Sequence, residues 1–250
     1  PTMLHDGSGM GALTGSMAAL LALRGFEGAP AITLEAPDAE QYWKDLGNLW
    51  TIELNYIKPY PVCRWAHAPL DALSSLMRTQ GFQTSDIAQL DVRTFAESAA
   101  LFPGVPETTG QAQYSLAFAL AAMMRYGNVG PAQISGDGLT DARVAELLPR
   151  ITISEATEHS ARFPAKRCAD ITVTLTDGRK LQSGDVEARG GPEGPLSQAE
   201  IEAKLNLFAG PLLGDARTSA LWDMRTRLLE PDAKFSELID LVTAPACTDP

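Results

Sequence analysis

Residues 10–24, MGALTGSMAALLALR, are apolar on nearly every helical face, a pattern that predicts a helix buried all round. Gly25 stands where a C′ glycine would close that helix, and GFEGAP follows as a turn. PDAEQYWKDL then predicts a short amphipathic helix with Asp38 as its N-cap, and WTIELNYI alternates loosely like a strand. APLDALSSLMRTQG reads as a helix closed by Gly81, and SDIAQLDVRTF as a capped turn running into a strand. Residues 108–126, TTGQAQYSLAFALAAMMRY, form a second apolar helix closed by Gly127, and TDARVAELL a short amphipathic one. RITISEA, ADITVTL and KLQSGDVEA predict strands, with TDGR at 176–179 as a hairpin turn. Beyond RGGPEGP the pattern turns helical again. LSQAEIEAKLNLFAG opens with the capping-box pair Ser197 and Glu200, and DARTSALWDMRTRLL and KFSELIDLV continue it. The tail TAPACTDP is expected to fray.

Strands grouped between helices predict an α+β fold rather than a doubly wound sheet. The first helix has few partners nearby in sequence, so the mixed block is expected to be an insertion into a helical domain. No repeat or low-complexity run interrupts this order.

Composition narrows the function. With 250 residues, 45% hydrophobic and 20% charged, the chain has the make-up of a soluble globular protein of one large or two ordinary domains. No apolar stretch is long enough to span a bilayer, so no membrane partner is expected. The opening PTMLHDGSG lacks the pattern of a signal peptide, and three cysteines, Cys63, Cys168 and Cys247, include no CxxC. A reduced, cytoplasmic protein without a zinc site is the expectation. A net charge of −11 and a pI near 4.7 argue against nucleic acid. A small anionic substrate is still compatible with that charge, because a local cation cluster can attract a carboxylate within an acidic whole.

Residues 56–67, YIKPYPVCRWAH, supply such a cluster. Pro59 and Pro61 exclude helix and central strand, so Lys58, Cys63, Arg64 and His67 sit on a stiff loop. The glycines of DGSGMG could bring backbone close to a ligand or simply start the first helix, and they are not a P-loop, because no Lys-Ser/Thr follows.

Several segments together resemble the MmgE/PrpD family, which includes 2-methylcitrate dehydratases, cis-aconitate decarboxylases and an iminodisuccinate epimerase. They are GALTGSMAALLALRGFEGAP, YIKPYPVCRWAHAPLDAL, QAQYSLAFALAAMMRYG, RFPAKRCADITVTLTDGR and GPLSQAEIEAKLNLFAG, in the family's order. The resemblance implies part of an all-helical domain, residues 1–50 and 193–250, interrupted by an α+β lid, residues 51–192. It also implies no metal or cofactor, a homodimer, and an active site between helical domain and lid. The family's K-x-[YF]-P pattern maps onto Lys58, Pro59, Tyr60 and Pro61, and its H-x-x-x-D-A pattern onto His67 and Asp71. Decarboxylase members carry a histidine where this chain has Cys63 and a tyrosine where it has Phe118, so cis-aconitate decarboxylation is not expected. The likeness starts partway through the family's pattern, which implies that a partner chain, or a segment outside this sequence, supplies the rest of the helical half and some acidic and histidine site residues.

Each candidate has a functional and a plain reading. Lys58 could neutralise a substrate carboxylate, act as a base, or be a solvated lysine. Arg64 could clamp a carboxylate or bind nearby carbonyls. His67 could shuttle a proton near neutral pH or cap the helix after it. Tyr60 and Cys63 are placed at the substrate with Arg64, although a plain reading makes Cys63 a small filler. His5, by the glycine-rich helix start, is a further candidate. His159 is expected on an exposed lid loop, and Arg162, Lys166 and Arg167 on a solvated face or dimer contact. The leading expectation is a cofactor-independent lyase of the hydro-lyase type acting on a small di- or tricarboxylate. The alternatives are an epimerase of an amino- or imino-dicarboxylate, and a non-catalytic remnant or regulatory subunit.

Overall fold

A computed structural model describes residues 7–245, which divide after Asn55 into two compact units. His5 and Cys247 lie outside the described residues.

In the first unit, α1 spans Ser8–Leu23. It ends as the glycine pattern predicts, with Gly25 at φ 84° and the Phe26 amide donating to Leu21 O at 3.1 Å. Met10, Leu13, Met17, Leu20 and Leu21 of α1 are all exposed, contrary to the helix buried all round that the sequence predicts. The helix predicted from Asp38 is a 3-10 turn, Pro37–Tyr42, with no side-chain cap. Pro37 takes the first helical position instead, where its missing N–H costs nothing. WTIELNYI is not a strand either. It forms a 3-10 turn, Thr51–Leu54, followed by irregular chain, because no neighbouring strand pairs with it.

The second unit has the α+β fold expected. Its sheet runs β2-β1-β3-β4, with β1 Ile87–Thr94, β2 Ile151–Glu155, β3 Cys168–Leu175 and β4 Lys180–Gln182. β5, Val186–Glu187, also pairs with β3. β1 runs parallel to β2, with Leu90 opposite Ile151, and antiparallel to β3, with Leu90 opposite Val173. The TDGR turn joins β3 to β4 as predicted, with Gly178 at φ 88°. KLQSGDVEA is broken into two strands at Gly184, whose φ of 69° leaves the extended range.

One face of the sheet is covered by α2, His67–Gln80, which packs on β3 and against α3, Leu116–Tyr126. Leu70, Leu73, Phe118, Leu120 and Met123 join Ile87, Leu90, Ile171 and Val173 in the core. Both helices end on a left-handed glycine, Gly81 and Gly127. The short helix α4, Thr157–Ser160, leads into β3. Three helices follow the sheet: α5 Gln198–Leu213, α6 Asp215–Arg227 and α7 Phe235–Thr243. α5 opens on the predicted capping box, with Ser197 N–H donating to Glu200 and Glu200 N–H to Ser197 Oγ at 3.3 Å. No helix among the described residues is long and apolar enough to cross a membrane.

His159 is buried, contrary to the expected exposed loop, because α4 folds back onto β3 and meets Asp170. Its Nε2–H donates to Asp170 at 2.8 Å, and Arg162 donates to Nδ1 at 2.6 Å. Arg162 also pairs with Asp185, and Lys166 with Glu187 at 2.9 Å. These cations are therefore engaged in pairs that tie α4 and the chain after it to the region of β5.

The proline loop is fastened at three points. Ile57 N–H donates to Gly190 O at 2.9 Å, and Cys63 N–H to Gln113 O at 2.7 Å. Trp65 meets Phe95 and Phe163 edge to face, at 6.2 and 5.8 Å, while those two rings stack at 4.7 Å. The first fastening requires glycine. At φ +100°, a Cβ on Gly190 would lie 2.1 Å from Ile57 O. Gly190→Ala is expected to cost more than the roughly 1–2 kcal/mol of the left-handed backbone alone. Gly184→Ala, at φ +69° with open space around it, should cost only that backbone share. Denaturant midpoints of the two variants measure the difference, and equal losses would contradict the close approach at Ile57.

Candidate active site

Tyr60 projects from the loop between its two prolines, and its hydroxyl donates to Asp71 Oδ1 at 2.9 Å. Asp71 is one helical turn beyond His67 on α2, which puts both on the face that meets the loop. The rings of Tyr60 and His67 meet edge to face at 5.3 Å. On the other side of Asp71, Arg189 Nη2 approaches Oδ1 at 3.7 Å and bonds Glu200 of α5 at 2.9 Å. Tyr60, Asp71, Arg189 and Glu200 thus form a chain from the loop across α2 to α5.

Burial pushes the Asp71 carboxyl above its usual range, while Arg189 and the Tyr60 hydroxyl pull it back down. Burial, then the charge of Asp71, raises the Tyr60 phenol far above its ordinary value. The shared proton therefore stays on the tyrosine, which remains a donor.

His67 has no exposed surface. Its Nε2 lies 3.1 Å from Val62 O, and a carbonyl can only accept, so Nε2 carries the proton. Nδ1 is left as a buried lone pair with no hydrogen-bond partner among the described residues. Burial lowers the imidazole pKa to about 3, against the pull of the Val62 carbonyl and with help from Lys58, Arg64 and Lys204. The histidine expected to titrate near neutral pH is instead neutral throughout that range.

Lys58 is half-buried, and it makes no ion pair with a described residue. The same holds for Lys204 on α5, whose pKa is lowered by burial and then by Lys58. Arg64 turns elsewhere. Its guanidinium lies 3.7 Å over the Tyr56 ring and lines a small hollow with Glu187, Gly191 and Glu193. Cys63 is half-exposed and tied through its backbone to Gln113.

A cleft of about 540 Å³ opens between α2 and α5, with Tyr60, Asp71, Arg189, Glu200 and Lys204 on its walls. Of the residues singled out in the sequence, Tyr60 and Asp71 line this cleft, Lys58 directly precedes the Pro59 that also lines it, and His67 meets the Tyr60 ring. Arg64 faces the other hollow, although its charge still acts on His67. Arg189 and Lys204 were not singled out. Lys204 had one local signal: it lies four residues after the capping Glu200, so both share a face of α5. Among the described residues, no group of three or more His, Cys, Asp or Glu could hold a metal ion.

The state of His67 makes stability depend on pH. An unfolded histidine binds its proton near 6.5, whereas the folded one does so only near 3. Its contribution is complete above pH 6.5 and is lost progressively as pH falls toward 3, at up to about 1.4 kcal/mol per pH unit. His67→Gln should therefore flatten the acid side of the stability curve. The imidazole resonances of His67 should not shift between pH 5 and 8, and a midpoint near 6.5 in that titration would contradict the burial described here.

No curated protein matches the chain. The model of the MmgE/PrpD C-terminal domain matches residues 60–228, from the tyrosine of the proline loop through both walls of the cleft to the end of α6. Lys58 stands just ahead of the match, and Asp71, Arg189, Glu200 and Lys204 all fall inside it. The chain therefore belongs to the MmgE/PrpD family, as its C-terminal portion.

Proposed function

We propose that this chain forms part of a cofactor-independent lyase of the hydro-lyase type, acting on a small di- or tricarboxylic acid. The observation that carries this reading is Lys58, half-buried and without a carboxylate partner among the described residues, set near a neutral histidine on a fastened loop. A proton next to a carboxylate becomes removable when the resulting enolate-like charge meets fixed cations and donors. Lys58 is assigned to that charge and to the proton transfer. His67, whose weak basicity makes it a poor proton acceptor, holds the loop through Val62. Tyr60 is assigned as a donor at the substrate, and Arg64 as an outer contribution to the positive field.

In this reading residues 51–192 are the lid, and residues 1–50 and 193–250 belong to a helical domain completed by a further chain or segment. The exposed apolar face of α1 supports such a completion. A homodimer working in the cytoplasm is part of the same proposal. Epimerisation of an amino- or imino-dicarboxylate would use the same proton abstraction and differs in its product.

The test is proton NMR in D₂O on protein purified from its native source with any partner bound, using citrate-, methylcitrate-, malate- and aspartate-like acids. Deuterium should appear next to a carboxylate, or a vinyl signal should grow as water is lost. Lys58→Ala should slow this by about 10²-fold or more, the usual share of a positioned proton-transfer group. Inversion without a vinyl product would assign the epimerase reading. Turnover unchanged in Lys58→Ala would remove Lys58 from the chemistry, and a silent panel would favour a non-catalytic subunit.

A further inference from the structure

The two helices that wall the large cleft present side chains at the same spacing. On α2, Asp71, Ser74, Ser75 and Arg78 fall at i, i+3, i+4 and i+7 and line it, while Leu70, Leu73 and Leu76 on the other side enter the core. On α5, Glu200, Ala203, Lys204 and Leu207 repeat the interval. A polar stripe on a helix whose opposite side is core normally faces water. Here it faces a second helix across a gap whose volume, about 540 Å³, is that of a small-ligand site.

The charges in this gap do not balance. Arg189 answers both carboxylates, reaching Glu200 at 2.9 Å and Asp71 at 3.7 Å, and the Tyr60 hydroxyl adds a bond to Asp71. Lys204 and Arg78 have no ion partner among the described residues. Arg78 is exposed, so water solvates it. Lys204 is half-buried, with Phe208 5.3 Å from its ammonium as the neighbour that offsets part of its desolvation. An ammonium withdrawn from water without a carboxylate is costly unless something else supplies the negative charge. The Arg189–Glu200 bond fixes which way this face of α5 points, since Lys204 lies one turn beyond Glu200. Lys204 and Lys58 are also near enough for their charges to act on each other and on His67.

We propose that the α2–α5 cleft is a carboxylate-binding site in which Lys204 holds the anion and the hydroxyls of Ser74 and Ser75 supply further donors. Its place in the reaction rests on the reading above, where it takes the end of the substrate remote from the carbon that loses its proton. The binding itself does not depend on that reading.

Succinate is the probe, because it offers two carboxylates and no group to eliminate. Its binding is followed by backbone amide shifts on the full chain with any native partner bound. In the unmodified protein the shifts should map to α2 and α5. Lys204→Met should weaken succinate by about tenfold or more, the scale of one lost charge contact. Lys204→Arg should keep most of the affinity. Arg179→Ser, which removes a cation at the distant β3–β4 turn, should leave it unchanged and serves as the folded control.

Shifts confined to the Arg64 hollow, undiminished binding in Lys204→Met, equal weakening in Arg179→Ser, or no binding at millimolar succinate would each overturn the proposal. Succinate seated in the cleft together with a silent deuterium panel would instead overturn the catalytic reading alone. Deuterium exchange that persists in Lys204→Met, with binding also unaffected, would overturn the cleft assignment alone.

Discussion

Arg189 follows the last strand and reaches one carboxylate on α2 and another on α5, joining the helix that packs on the sheet to the first helix after it. Asp71 is nearly sealed from water, with 7% of its side chain accessible, so its charge has to be answered within the protein. Tyr60 and Arg189 provide the answer, and each thereby becomes fixed. The Arg189 side chain is 41% exposed, so solvent screens its ion pairs to both Asp71 and Glu200. The Tyr60 hydroxyl, at 2.9 Å against 3.7 Å for Arg189, is the closer of the two partners of Asp71.

Several cations around that chain are paired within the described residues. Arg189 takes Asp71 and Glu200, Arg162 takes Asp185, and Lys166 takes Glu187. Lys58 and Lys204 have no ion partner among the described residues, and the histidine near them is held neutral by burial. In an acidic chain of net charge −11, local excess of this kind is a property of packing rather than of composition. The prolines keep the loop from relaxing into helix or strand, and the Gly190 contact, the Gln113 carbonyl and the Trp65 ring cluster hold its two ends.

The features legible in the sequence are those set by local chemistry. Gly81 and Gly127 mark helix ends because a left-handed residue is needed there, and Ser197 with Glu200 marks a helix start. The TDGR turn and the alternation in ADITVTL predicted the β3–β4 hairpin, and the α+β class followed from the order of elements. Features that depend on distant partners were misread or missed. WTIELNYI alternates like a strand but finds no neighbour to pair with. His159 sits in a polar stretch yet is buried, because Asp170 on β3 meets it from another element. Arg189 shows no local pattern, since its two partners are 118 and 11 residues away and on different helices. The proline loop was readable as a cation cluster, but not that Arg64 would turn onto Tyr56 and leave Lys204 to stand near Lys58.

The Arg189 bridge leaves Lys204, on the wall of the α2–α5 cleft, without an ion partner among the described residues. A high-resolution crystal structure grown with a small dicarboxylate, with any native partner present, is the decisive measurement. The expected result is a carboxylate against the Lys204 ammonium while Arg189 still bridges Asp71 and Glu200. An empty cleft with Lys204 paired to a carboxylate of the protein, or with Arg189 released from Asp71, would contradict it.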